Sequence, residues 1–368
     1  MTSDVESVTA SRRRQGTLLL AAFIGGAAWL LWSLHDSFLL AALVAAAGVL
    51  WSSRDRKSWV LASVMVAIGL YWSSVDANEC STWWRGRIIY EKLIGNLPYI
   101  GWDQIQHEAF SPCHTFYKAE SQLLKTIEPL GQKVVNGRNW ELYQTGLGPF
   151  WIAAPGRDLL AWLVWEITMQ HDYESGGVAI RPGDTVVDCG AHVGVFTRYA
   201  LSRGAGRVVS IEPEPGNIAM LEANLASEIA SGRVILVKAG VWDQKTYLAL
   251  SHSETNSAAD SFVRTVPASF KEEGLPVLPL DDIVQQLGLD RVDFIKMDIE
   301  GAERRALEGA WRTIGRFRPR MAICSYHMRD DPDVIPAVVQ SAVPSYRIHA
   351  KDYERGKYRL ITKVLFFD

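Results

Sequence analysis

The chain has 368 residues, 48% of them hydrophobic, and a formal net charge of -3. That length holds one large domain with additional parts, and a near-neutral balance gives no electrostatic basis for binding nucleic acid. Four cysteines, Cys80, Cys113, Cys189 and Cys324, are too few for a disulfide framework and lack metal-ligand spacing.

Residues 1–16 are polar and carry Arg12, Arg13 and Arg14 ahead of three apolar stretches, at about 17–34, 37–52 and 58–75. At ~1.5 Å per residue each spans on the order of 25 Å as a helix, slightly short of a hydrocarbon core. A signal peptide also places basic residues before an apolar run. Here no small-residue cleavage site follows and two more runs do, so residues 1–79 are expected to form a membrane anchor of two or three transmembrane helices. Trp29, Trp32, Trp51, Trp59 and Trp72 fall near the expected helix ends, where indole rings favour the headgroup zone. None of the stretches shows the polar face that a helix of a soluble domain needs. Arg12 to Arg14 and the loop with Arg54, Arg56 and Lys57 both belong on the cytosolic side by the positive-inside bias, which with three spans puts the rest of the chain outside.

Residues 80–139 read as a juxtamembrane helical linker or lid. Amphipathic pieces lie at 83–93 and 119–130, and turn signals at Leu97-Pro98 and Ser111-Pro112. Trp83, Trp84, Arg85 and Arg87 suit a segment on lipid headgroups, and a cover over a substrate pocket is the alternative. From 140 the pattern changes. Residues 141–145 and 149–153 predict a hairpin across Gly146 and Gly148, and Asp158 is expected to cap an apolar helix to about residue 170. A connector over 173–184 turns at Pro182-Gly183 into the first core strand.

Residues 184–197 read DTVVDCGAHVGVFT, a buried strand ended by Asp188, a glycine turn and the opening of a helix. Gly190 lets the backbone turn sharply, and Gly194 lets the new helix pack close. Dinucleotide sites need GxGxxG, whereas here Ala191 and His192 stand where a second early glycine belongs, which argues against a nicotinamide enzyme. Asp188 suits a cationic ligand better than a pyrophosphate, and S-adenosylmethionine carries both an ammonium and a sulfonium. A purely structural turn is the alternative. The strand 207–211 ends in Glu212, placed to accept hydrogen bonds from both ribose hydroxyls. A helix over 217–228 and a third strand over 234–237 follow. The loop 239–242 is expected over the adenine edge, where Trp242 either stacks or packs. The polar stretch 251–274 reads as a loop that closes over substrate.

A fourth strand, 292–297, delivers Asp298 and Glu300 to the same edge, with Gly301 beginning the next helix. A carboxylate there orients a sulfonium or takes a proton from an acceptor hydroxyl. Lys296 and Asp298 share one side of the strand, so Lys296 is expected to pair with Asp298 and hold it ionised. The fifth strand, 321–325, ends in Tyr326 and His327. A histidine there, substantially neutral at physiological pH, is the expected general base, with a structural histidine as the alternative. Asp330 and Asp331 together with Asp298 offer a divalent-cation option, although no metal is assigned.

The stretches DTVVDCGAHVGVFT, SIEPEPGNIAMLEANL, VDFIKMDIEGAE and AICSYHMRDDPDVIP resemble the FkbM family of S-adenosylmethionine-dependent methyltransferases, KMDIEGAE at 296–303 being the most specific. The likeness covers about residues 140–368. It implies an α/β, Rossmann-like class I methyltransferase domain, doubly wound, whose mostly parallel sheet ends in an antiparallel hairpin of 346–350 with 359–367. It also implies S-adenosylmethionine as cofactor and O-methylation of a sugar or polyketide hydroxyl. The cofactor set is then Asp188, Gly190, Ala191, His192, Gly194, Phe196, Glu212 and Asp298, and the catalytic set Asp298, His327, Lys296 and Glu300. An anchored domain is expected to act on a glycolipid or lipid-linked acceptor. Because the donor is cytosolic, the catalytic half is expected in the cytosol, with two true spans and one shallow stretch, against the charge bias. A catalytically silent membrane scaffold that keeps the fold is the competing reading.

Overall fold

The structure, a computed structural model, describes residues 127–251, 261–262, 274–351, 353–355 and 360–368, with residues 89, 92, 93, 95, 97, 99–102, 105 and 125. The apolar stretches at 17–34, 37–52 and 58–75, most of 83–93, 119–130 and 251–274, and Cys80 and Cys113 lie outside the described residues. Among the described residues no helix is long and apolar enough to cross a membrane. The chain divides into two compact units, Met1–Gly95 with Ile105–His114, and Asn96–Gln104 with Thr115–Asp368. The second holds every strand among the described residues.

This unit opens with an antiparallel meander of β1 (Glu128–Val135), β2 (Arg138–Thr145) and β3 (Gly148–Ala153). The β2–β3 hairpin lies where the sequence predicts it, but β1 falls ahead of the expected boundary at 140, in a stretch read as linker. Its turn, Asn136-Gly137, has φ of 50° and 76°, the two-residue signature of a tight hairpin. The helix Arg157–Thr168 follows from Gly156, with no side-chain cap; Asp158 stands in the first turn, not at the cap.

The remaining strands are β4 (Thr185–Cys189), β5 (Arg207–Ile211), β6 (Val234–Val237), β7 (Gly240–Val241), β8 (Thr246–Leu248), β9 (Leu275–Leu278), β10 (Phe294–Met297), β11 (Arg320–Cys324), β12 (Ile348–Ala350), β13 (Tyr353–Arg355), β14 (Leu360–Thr362) and β15 (Val364–Phe367). Seven form one sheet in the order β12-β15-β11-β10-β4-β5-β6. The five from β11 to β6 run parallel, and β15 is antiparallel to both its neighbours. The apolar runs TVVDC, FIKM and RMAIC are buried almost throughout, as parallel strands covered on both faces must be. The expected closing hairpin is present, with Ile348 opposite Phe367, but between its strands β13 and β14 form a hairpin of their own. β7, β9 and β8 make a small separate sheet.

Two helices differ from expectation. The predicted helix 217–228 is two, Pro215–Asn224 and Ala226–Ala230, interrupted at the fully buried Leu225. It starts early because the Glu214 carboxylate accepts the Asn217 N–H at 2.5 Å. The helix after β10 begins at Glu303 behind Ala302, not at Gly301. Asn224 ties the meander to the main sheet's helices: its side chain accepts the Trp151 N–H at 2.6 Å and donates to the carbonyls of Trp151 and Val193 at 3.0 and 2.8 Å.

Candidate functional site

Parallel register sets Cys189 of β4 level with Ile211 of β5 and Met297 of β10. The residues that leave these strand ends, Gly190, Glu212 and Asp298, therefore open on one cavity. His192, Pro213, Asn217, Gly240, Phe262 and Glu300 line it as well. Gly190 has φ 79°, and a Cβ there would lie 2.0 Å from the Asp298 carbonyl oxygen. Only glycine lets the β4 turn come this close to the end of β10.

Beneath the cavity floor lies a buried ion pair. Lys296 Nζ stands 3.4 Å from Asp188 Oδ1 and donates to the Gly190 carbonyl at 2.8 Å. Asp188 is wholly buried and also accepts from Thr197 Oγ1 at 2.7 Å. The ion pair of Lys296 is therefore with Asp188 and not with Asp298, although the Lys296 charge still favours an ionised Asp298, as expected. The register is the reason: Lys296 lies directly beside Asp188 on the next strand, at a spacing of about 4.8 Å, whereas Asp298 is two residues further along its own chain, about 6.6 Å away. Burial alone would lower the Lys296 pKa, but Asp188 and Asp298 raise it, so the ammonium persists.

Glu212 accepts the His192 N–H at 2.9 Å through one oxygen, and the Glu214 N–H at 3.0 Å and Asn217 Nδ2 at 3.3 Å through the other. Burial nevertheless pushes its pKa up to about 7, the three hydrogen bonds only partly opposing it. His192 is held neutral, its pKa lowered to about 4 by burial and by Lys296.

At the other end, Tyr173 Oη donates to Asp298 Oδ2 at 2.7 Å. Burial would raise the Asp298 pKa, yet Lys296, His327 and the Tyr173 hydrogen bond hold it below the ordinary carboxylate range. His327 Nδ1 lies 2.9 Å from Glu303 Oε1, and Nε2 lies 3.6 Å from Asp298 Oδ1 and 3.5 Å from Glu300 Oε1. Burial works against a charged ring, but Glu303, Glu300 and Asp298 outweigh it and push its pKa up to about 11. His327 is therefore an imidazolium here and not the neutral base expected from its unperturbed pKa. Asp330 and Asp331 turn away from Asp298 and bind Arg304, each at 2.5 Å.

Residues 188–342 match the model of the methyltransferase FkbM domain. The 31-O-demethyl-FK506 methyltransferase FkbM of Streptomyces tacrolimicus is 29% identical over 171 residues, 39% of this chain and 66% of that protein. Methyltransferase sdnD of Sordaria araneosa is 25% identical over 173 residues, again 39% and 66%. The chain thus spans just under two thirds of the length of these two relatives. A crystal structure of methyltransferase FkbM from Methylobacillus flagellatus is similar with a TM-score of 0.39 and 20% identity, over 72% of this chain and 60% of that one.

Of the site residues expected from the sequence, Gly190, His192, Glu212, Asp298 and Glu300 line the cavity, whereas Asp188, Ala191, Gly194, Phe196, Lys296 and His327 are not in its lining. Gly194 precedes the helix Val195–Ser202 at φ 91° and packs against Leu225. Phe196 stacks on Phe294 at 6.4 Å and meets Tyr173 edge-on at 5.3 Å. Trp242 is not in the cavity wall, while Ala239 and the two residues of β7, Gly240 and Val241, are, so the expected loop 239–242 is in part a strand. Three contributors escaped the sequence reading. Glu303 sits in the quoted KMDIEGAE signature but was given no role. Tyr173 is a lone tyrosine in a connector, with no local signal. Phe262 belongs to the stretch expected to close over substrate.

Proposed function

We propose that this protein transfers a methyl group from S-adenosylmethionine to a hydroxyl of a sugar, glycolipid or lipid-linked acceptor at a membrane. The observation that carries this reading is the single cavity that joins Glu212, the bare Gly190 turn and Asp298 at the carboxyl ends of β5, β4 and β10. These residues fit the cofactor. Gly190 leaves a cradle that a Cβ would fill, the buried Glu212 carboxylate suits ribose hydroxyls, and Asp298 Oδ1 is a buried oxygen with no hydrogen-bond partner, suited to a cationic group. Bound there, S-adenosylmethionine supplies an electrophilic methyl group.

The chain's own residues do the rest. Asp298, kept ionised by Lys296 and His327, accepts a hydrogen bond from the acceptor hydroxyl and takes up its proton. Tyr173 fixes the orientation of that carboxylate through its other oxygen. Lys296 serves from below, by holding Asp188 and the Gly190 carbonyl. The Streptomyces relative, named for 31-O-demethyl-FK506, favours oxygen as the acceptor atom. The apolar stretches before residue 76 favour an anchored, multi-pass protein and an acceptor near the bilayer, with the catalytic half on the cytosolic side.

Calorimetry of the full-length protein with S-adenosylhomocysteine tests the reading, together with transfer of labelled methyl into lipid and glycan extracts. Glu212→Ala is expected to lose affinity for the nucleoside, and Asp298→Ala to keep affinity for S-adenosylhomocysteine, which lacks the sulfonium charge, while losing turnover. A wild-type protein with no affinity for donor or product rules the proposal out.

A further inference from the structure

We propose that Asp298, Glu300 and His327 form a binding site for one divalent transition-metal ion beside the cavity that Asp298 and Glu300 line. Each offers one donor atom, Asp298 Oδ1, Glu300 Oε1 and His327 Nε2, and the three atoms lie within 4.8 Å of one another. Nε2 stands 3.6 and 3.5 Å from the two oxygens. That is longer than a normal hydrogen bond, whereas two donors that each sit ~2.1 Å from a shared ion are separated by roughly 3–4 Å.

The second, independent observation is the histidine itself. Its side chain is only 7% exposed, and Nε2, aimed between the two carboxylates, has no hydrogen-bond partner. Asp298 Oδ1 likewise has none. On the far side of the ring, Nδ1 lies 2.9 Å from Glu303 Oε1, a fully buried oxygen that also accepts the Ile299 N–H at 2.9 Å. A carboxylate behind a histidine whose other nitrogen points toward two further carboxylates is how metal-binding imidazoles are oriented. Three carboxylates converge on one ring, and a dication that displaces the Nε2 proton to solvent leaves a neutral imidazole as ligand and offsets more of their charge than the imidazolium does. One imidazole with two carboxylates suits Mn2+ or Zn2+ better than Ca2+.

Such an ion deepens the methyl-transfer reading and rests on it for its role, not for its existence. It would coordinate the acceptor oxygen and lower the pKa of its hydroxyl, so that the proton leaves to water and Asp298 acts as a ligand instead of a base. The oxygen then bonds to the methyl carbon while the sulfur–methyl bond breaks, its electron pair staying on sulfur.

The test titrates Mn2+, then Zn2+, into the metal-stripped full-length protein, with bound ion read by calorimetry and by loss of the free Mn2+ resonance signal. One ion per chain is expected. Glu300→Gln and His327→Ala should each weaken binding about tenfold or more, and Glu303→Gln, which leaves all three donors in place, by roughly 10- to 100-fold. Retained affinity of Glu300→Gln for S-adenosylhomocysteine reports an intact fold. Absence of binding of either ion by the wild type, or unchanged binding by Glu300→Gln, overturns the site. Metal binding without any methyl transfer would instead count against the proposed activity and leave the site standing.

Discussion

Glu212 is a buried carboxylate whose pKa has been pushed up to about 7 by loss of solvent, against three hydrogen bonds that favour its charge. Ribose hydroxyls need an acceptor, so the ionised form is the binding form. Donor affinity should therefore be flat above pH ~8 and weaken as pH falls through about 7, by up to roughly tenfold per unit on the acid limb. Calorimetry between pH 6 and 8 measures this, and Glu212→Gln should give weaker binding with no such slope. Lys296 makes the second prediction at this scale. Lys296→Met strands Asp188 in the interior, and such broken pairs cost about 3–5 kcal/mol, whereas Lys296→Met with Asp188→Leu should recover most of that in denaturant unfolding. The sequence marks both residues as important but not as partners. Partnership comes from strand order and register, and β4 and β10 are more than a hundred residues apart along the chain. His327 illustrates the same limit: its unperturbed pKa is a property of the residue, while its charge here is set by Glu303, Glu300 and Asp298, which no single strand end contains.

Elements were legible where burial leaves a pattern and illegible where it does not. β4, β10 and β11 are continuous apolar runs because they are covered on both faces, and they stand within a residue or two of their predicted bounds. β1 is exposed along nearly its whole length, so EPLGQKVV has no alternation to read, and its only signal is the Asn136-Gly137 turn that follows. How the meander joins the α/β core was not readable at all, since Asn224 is an unremarked polar residue near the end of a helix. Asn224→Ala removes the acceptor for the Trp151 N–H and the donor to two carbonyls. The expected loss is about 1–3 kcal/mol in chemical denaturation, with affinity for S-adenosylhomocysteine unchanged because Asn224 does not line the cavity. A variant as stable as the wild type would show that the meander is held by its apolar contacts alone.

For the molecule as a whole, the α/β domain follows from the sequence, but the topology of the proposed anchor does not, because two physical constraints disagree. The positive-inside bias places Arg12 to Arg14 and the loop with Arg54, Arg56 and Lys57 in the cytosol, and a third span then exports everything after residue 75. A domain whose cavity suits S-adenosylmethionine needs a donor that is cytosolic, which requires an even number of true crossings. The chain carries its own probe for this. Cys189 and Cys324 are buried in the domain and out of reach of a bulky reagent, so labelling of the folded protein reports on Cys80 and Cys113. With an impermeant thiol reagent, the proposed topology predicts no modification in intact cells and modification once the membrane is opened, the modified peptide being identified by mass spectrometry. Labelling of Cys80 or Cys113 in intact cells would put the domain outside. The charge rule would then have prevailed, and a domain cut off from its donor would have to be either supplied by export or catalytically silent.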